Sequence, residues 1–182
     1  MQWKIPGTVL TGQREDADQI NANFTAMFLG GGIMLSQVAA ITGLEPYDVQ
    51  NWVKRQLLPP PANKRYDLNQ LCRIININML KKVLPMERIC GLLEHINGDL
   101  EDRSDDLIDD SHLYFLFVKL AARARHIGGT ESWDSALEQV TADYHERAPG
   151  AREKLIAVLR IMLTAWVAAQ LQENAEKMIA AL

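Results

Sequence analysis

Apolar positions recur every three or four residues through most of this chain, the spacing of helices that cover one face. Ile20, Phe24, Met27 and Phe28 follow the polar run Arg14-Glu15-Asp16, which predicts a helix over residues 14–29 ended by Gly30-Gly31-Gly32. That glycine triplet lacks the Gly-Lys-Ser/Thr continuation of a nucleotide loop and reads as a flexible joint. Ser36 can cap the next helix, whose compact face is Val38, Ala39 and Ile41, and Gly43 ends it. Leu44 is the buried turn residue. Pro46 suits the first position of the following helix, where its absent N–H is not needed. There Val49, Trp52 and Val53 should face the core, leaving Tyr47, Gln50, Asn51 and Lys54 outward or at the edge.

Pro59-Pro60-Pro61 forbids helix and forces an extended run. A turn at Ala62-Asn63 would bring Lys64, Arg65 and Tyr66 back as the return limb of a short hairpin. Asp67 can cap a helix beginning near Leu68, whose apolar residues (Leu71, Ile74, Ile75, Ile77, Met79, Leu80) run nearly all round, so this helix is central. After Pro85, Ile89, Leu92, Leu93 and Ile96 share one face that stops at Asn97-Gly98.

The tract 99–106 is acidic and reads as a solvated connector, because its carboxylates miss the spacing and turn glycine of a calcium loop. Beyond it, helices are expected from Leu113 to about His126 with a stop at Gly128-Gly129, from about Ser132 to Arg147, and from Pro149 onward. In the last, Leu155, Val158, Leu159, Met162, Leu163, Trp166, Val167 and Leu171 form a stripe wider than the a and d positions of a two-stranded coiled coil, which suits a bundle core. The expected fold is mainly α, with one small β-hairpin and a C-terminal helical bundle. Three parts follow: residues 1–32, packing on that bundle; 33–98; and 99–182.

Hydrophobic residues at 48% and charged ones at 23% describe a folded chain of 182 residues and argue against wholesale disorder. Charges interrupt the apolar stretches before the roughly 18 to 20 residues of a membrane span, and Met1-Gln2-Trp3-Lys4-Ile5-Pro6 lacks the pattern of an export signal. A cytoplasmic protein is expected. Cys72 and Cys90, without Cys-x-x-Cys spacing, read as core thiols. His95, His112, His126 and His145 show neither ligand nor triad spacing, and no Gly-x-Ser-x-Gly occurs, so no enzyme, metal or cofactor is expected.

A net charge of −4 looks wrong for a nucleic-acid binder until it is divided along the chain. Residues 33–98 hold eight Lys/Arg against five Asp/Glu, whereas 99–150 hold five against twelve. The acidity therefore lies outside the segment whose chemistry suits DNA. Gln50 and Asn51 can present amides to adenine edges from the exposed start of a helix, and Tyr47 can reach phosphate or a base. Lys54 and Arg55 would meet phosphates, Lys64 and Arg65 the backbone or minor groove, and the Tyr66 hydroxyl a phosphate. Ser36 and Gln37 complete the predicted DNA-contacting set. Each has a plainer reading as a solvated charge, a turn cap or, for Trp52 and Tyr66, a packing residue. Trp133, Met162 and Trp166 are candidates to line a pocket for a small-molecule effector, or are plain core.

Ser36-Gln37-Val38-Ala39-Ala40-Ile41-Thr42-Gly43-Leu44, Val49-Gln50-Asn51-Trp52, and Leu57-Leu58-Pro59-Pro60 through Arg65-Tyr66 resemble the first helix and turn, second helix and wing of the MerR superfamily of bacterial regulators. The resemblance continues to Ile96, over about a third of the chain. Asn51-Trp52-Val53-Lys54, Lys64-Arg65-Tyr66 and Ile77-Asn78-Met79-Leu80-Lys81 are more closely similar to a bacterial family of uncharacterised transcription factors with a MerR-like head and a helical tail. It implies a winged helix-turn-helix, binding to double-stranded DNA, transcriptional regulation and a homodimer. Two positions depart from the MerR pattern: Gln50 stands where arginine is usual, and Gln56 where glycine is usual, which implies a differently shaped entry to the wing. Phage excisionases resemble the same winged fold, so an architectural DNA-binding protein is a second reading. A protein-interaction module that has lost DNA binding is a third.

Overall fold

Two short antiparallel strand pairs and eight α-helices make up the described part of the computed structural model, which covers residues 2–98, 100, 105–124 and 130–182. In chain order these are β1 (Gln2–Lys4), β2 (Thr11–Gln13), α1 (Ile20–Met27), β3 (Ile33–Met34), α2 (Leu35–Thr42), α3 (Pro46–Lys54), β4 (Arg65–Tyr66), α4 (Leu68–Leu80), α5 (Met86–Asn97), α6 (Asp110–Arg123), α7 (Thr130–Val140) and α8 (Ala151–Ala180). The protein is mainly helical, as its periodicity predicts. Most of the expected acidic connector, together with His126 and the Gly128-Gly129 stop, lies outside the described residues.

The N-terminal region differs from its expectation. Residues 2–13 form a hairpin in which Trp3 pairs with Gly12, a 3-10 turn follows at Arg14–Asp16, and α1 is confined to Ile20–Met27. The Arg14 guanidinium lies 5.1 Å from the centre of the Trp3 ring, so the polar run expected to begin a helix is used to cover an aromatic side chain. From α1, Phe24 meets Tyr114 and Phe115 of α6, each at 5.9 Å between ring centres.

Helix α4 is the centre of the molecule. Asp67 Oδ1 accepts the Gln70 N–H at 2.7 Å and Gln70 Oε1 accepts the Asp67 N–H at 2.8 Å, a reciprocal cap that starts the helix where the sequence places it. Ten of its thirteen residues are buried, because α6 runs along it and α2, α5 and α8 pack on other sides. The core is therefore continuous from Trp3 and Phe24 through Ile74 and Ile75 to Phe117, Leu159 and Met162. A boundary at residue 99 divides the sequence but not the core. Asn78 adds a polar tie: its Nδ2 donates at 3.0 Å to both the Gly7 and Thr42 carbonyls, joining the N-terminal hairpin and the end of α2 to α4.

At the C-terminal side, Asp109 caps α6 through the His112 N–H at 2.8 Å, so this helix begins at Asp110, ahead of the expected Leu113. Helix α7 stops at Val140, well before the expected Arg147. The intervening loop is held by Tyr144, whose hydroxyl donates to the Leu107 carbonyl at 2.6 Å, and by Arg147, which donates to the Asp106 carbonyl at 3.0 Å. Asp106 is itself 9% exposed, so this end of the acidic tract is packed rather than solvated.

Helix α8 differs from its expected stripe at Leu171. It is long and apolar enough, by length and composition, to cross a membrane, and 39% of its most apolar window is buried. Leu155, Leu159, Met162 and Leu163 are 0% exposed, whereas Leu171, read as part of the same stripe, is 48% exposed and off the core.

Candidate nucleic-acid interface

Helices α2 and α3 are joined by a turn that local chemistry dictates. Gly43 takes φ +70°, a left-handed conformation that ends α2, and its N–H returns to the Ala39 carbonyl at 2.8 Å. Leu44 is buried behind it, and Pro46 opens α3. The cap of α2 is not Ser36 but Met34, two residues earlier: the helix starts at Leu35, and Gln37 reaches back to accept the Met34 N–H at 2.8 Å. Ser36 and Gln37 are both exposed.

On α3, Val49 and Trp52 are buried, and this anchors the opposite side outward. Tyr47 is 69% exposed, Gln50 and Lys54 are exposed, and Asn51 is half-buried. Residues 47, 50, 51 and 54 stand at i, i+3, i+4 and i+7, so an aromatic hydroxyl, two amides and an ammonium share one stripe. Arg55, also exposed, caps the helix end, and the Lys81 ammonium lies 5.4 Å from the Trp52 ring centre on the protected side.

The exit from α3 runs through Gln56. This residue adopts φ +56°, the conformation a glycine would take without strain, and its N–H bonds the Val53 carbonyl while the Leu57 N–H bonds the Trp52 carbonyl at 2.9 Å. Its side chain is exposed.

Prolines contribute carbonyls but no N–H groups, so the extended run 59–61 needs donors from elsewhere. They come from α4. Gln70 Nε2 donates to the Pro59 and Pro60 carbonyls, each at 3.0 Å, and Arg73 Nε donates to the Leu57 carbonyl at 3.0 Å. Sequence reading singled out neither side chain; their i, i+3 spacing opposite a proline run was the available signal. Ala62 then opens a tight turn closed by the Arg65 N–H on its carbonyl at 2.9 Å, with Asn63 at φ +51° and Lys64 at φ +62°. Positive φ at both central residues is the two-residue hairpin turn whose twist matches paired strands. It places Lys64 at the tip.

The return limb pairs with β3: Tyr66 opposite Ile33 and Arg65 opposite Met34. Arg65 Nη1 also donates to the Gly32 carbonyl at 2.9 Å. Gly32 has φ +96° and lies so close to β4 that an added Cβ would stand 3.0 Å from the Tyr66 carbonyl oxygen. The last glycine of the triplet is thus a packing position, not a flexible joint. Tyr66 is 3% exposed, and burial pushes its phenol pKa up; its ring belongs to the core, which corrects the expectation that it touches DNA.

Among the described residues, Trp133, Met162 and Trp166 are not brought together to line one pocket. Met162 is 0% exposed in the core, and Trp166 packs edge-on against Phe117 at 6.3 Å. Trp166 instead lines a cleft of about 490 Å³ with Trp3, Arg14, Asn78 and Lys82, to which Trp133 and Met162 contribute nothing. Burial raises the Cys72 thiol well above its ordinary pKa, with Asp110, Asp109 and Asp67 adding to the shift. Among the described residues no group of three His, Cys, Asp or Glu side chains is placed to hold a metal ion.

Residues 33–117 match the model of a family described as a domain of unknown function, DUF1836. The chain is also similar to the uncharacterised protein YkrK of Bacillus subtilis (strain 168), with 25% identity over 127 residues, or 68% of this chain and 54% of that protein. The chain thus spans about half the length of the curated relative it matches. No solved structure matches it.

Proposed function

We propose that residues 33–98 form a MerR-like winged helix-turn-helix that binds duplex DNA, and that the protein is a bacterial transcriptional regulator. In this reading α2 and α3 are the helix pair, α3 enters the major groove, and the Asn63-Lys64 turn is the tip of the wing. The observation that carries the reading is the outward stripe of α3, where Tyr47, Gln50, Asn51 and Lys54 stand together while Val49 and Trp52 hold the helix from behind. Amides there have the donor and acceptor pair that adenine presents in the major groove. Lys54, Arg55, Lys64 and Arg65 supply the sequence-independent attraction to phosphates.

The test is selection from random duplexes with the purified full chain, followed by titration at several salt concentrations. Enriched sites are expected. Gln50→Ala should relax the preference at one position by about 1–3 kcal/mol, whereas Lys64→Ala should weaken all sequences alike and lower the salt slope by about one unit. Selection that enriches nothing, with duplex affinity indifferent to Lys64→Ala and to salt, would leave a protein-interaction module as the better account.

A further inference from the structure

The cleft of about 490 Å³ beside Trp166 draws its walls from both ends of the chain. The N-terminal hairpin and the turn after it supply Trp3, Lys4 and Arg14, and α8 supplies Trp166, Glu173 and Lys177. Asn78 of α4 and Lys82 just beyond that helix close the space between them. Its volume is that of a small-molecule site. The wall formed by residues 6–9 is fixed from behind: the Tyr114 hydroxyl donates to the Pro6 carbonyl at 3.0 Å, Asn78 Nδ2 holds the Gly7 carbonyl, and the Val9 N–H donates to the Ile41 carbonyl at 2.9 Å. The cleft therefore keeps its shape before any ligand arrives, which lowers the ordering cost of binding.

Charge gives the cleft its character. Lys4, Arg14, Lys82 and Lys177 line it with a single carboxylate, Glu173, although the chain as a whole carries −4. Lys177 pairs with Glu173 at 2.8 Å, whereas among the described residues Lys4, Arg14 and Lys82 pair with no carboxylate. The Glu173 carboxyl is held below its ordinary pKa first by Lys177, through a hydrogen bond and its charge, and then by Lys82 and Lys4. Ammonium groups from three parts of the fold thus act on one point. A concave wall of one sign concentrates anions, which lysines scattered over a surface do not. Arg14 is steadied by the Trp3 ring at 5.1 Å, and this preorganises its planar fork for an oxyanion.

We infer that this cleft binds a small phosphorylated molecule with a flat ring, of the class of a nucleoside diphosphate. A pyrophosphate presents oxygens in several directions and so meets separated cations together, which a single carboxylate cannot. Trp166, half-buried, and Ala169 add an apolar side, an indole next to a methyl, which suits the face of a ring. The cradle is made of side chains that lie far apart in the sequence, so no glycine-rich loop announces it.

Calorimetric titration of the full chain with ADP, without DNA, tests the site independently of what α3 contacts. Saturation at one ADP per chain is expected, with pyrophosphate and adenosine each weaker by about tenfold or more. Lys82→Glu, at an exposed position, should weaken ADP binding by about tenfold or more, and Glu173→Gln should tighten it by removing the opposing carboxylate. Thermal unfolding of both variants shows that the fold is kept. Lys64→Ala, on the proposed duplex face, should leave ADP affinity unchanged. Absence of saturation by both ADP and pyrophosphate would overturn the site, and pyrophosphate binding as tightly as ADP would overturn the ring. Binding that survives Lys82→Glu and fails in Lys64→Ala would move the anion to the hairpin tip. Displacement of ADP by duplex DNA, undiminished in Lys64→Ala, would assign the cleft to the nucleic-acid backbone instead.

Discussion

Arg73 of α4 and Asp110 of α6 form an ion pair, Nη1 to Oδ2 at 3.3 Å, with side chains only 4% and 13% exposed. The same guanidinium donates through Nε to the Leu57 carbonyl, so one buried side chain connects the hairpin loop after α3 with the first turn of α6. Removing either charge forfeits this attraction while the other group stays desolvated, which is more costly than never having had the pair.

Arg73→Met should therefore destabilise the protein by about 3–5 kcal/mol. Adding Asp110→Asn should recover part of that loss, because the two sites are coupled. Urea unfolding of the two single variants and the double variant measures the coupling. Additive losses would show that the pair is not an energetic unit.

Lys64 holds a left-handed backbone at the hairpin tip, a conformation that costs a non-glycine residue about 1–2 kcal/mol. Lys64→Gly should raise stability by about 0.5–1 kcal/mol once the extra freedom of glycine in the unfolded chain is counted. If the tip meets phosphate, the same change should weaken duplex binding and reduce its salt dependence. Greater stability with unchanged binding would separate the turn from the proposed interface.

Cys72 gives a pH prediction with a definite sign. Its thiol is 0% exposed and its pKa is raised well above the ordinary value, mainly by burial. The unfolded chain releases this proton from about pH 8.5, while the folded chain keeps it. Above that pH the unfolded state binds fewer protons, so stability falls as pH rises, with a slope of up to about 1.4 kcal/mol per unit. Below pH 8.5 the contribution of this group is complete. Buried Tyr114, also raised well above its ordinary value, should extend the decline from about pH 10. Denaturant midpoints between pH 7.5 and 9.5 should fall for the wild type and become much flatter in Cys72→Ala. Equal slopes for the two would refute the assignment.

Local chemistry was legible where a residue type allows few conformations. Gly43 ended α2, Pro46 opened α3, Asp67 capped α4, and the proline triplet was extended before a turn, all within reach of near neighbours. The outward stripe of α3 followed from the burial of Val49 and Trp52. Gln56 and Lys64 went the other way: their left-handed backbones are not what glutamine and lysine favour, and tertiary contacts hold them there.

The sequence by itself determined a mainly helical chain, its central helix and the side chains on the outward side of α3, because helical periodicity and caps act over a few residues. Only the tertiary structure decided that Gln70 and Arg73 serve the proline carbonyls, that Tyr66 is buried, and that residues 2–13 form a hairpin. It also left Leu171 of α8 outside the core that holds Leu155, Leu159, Met162 and Leu163. A hydrophobic pattern records which side chains avoid water, and the neighbours that exclude the water are set by contacts across many tens of residues.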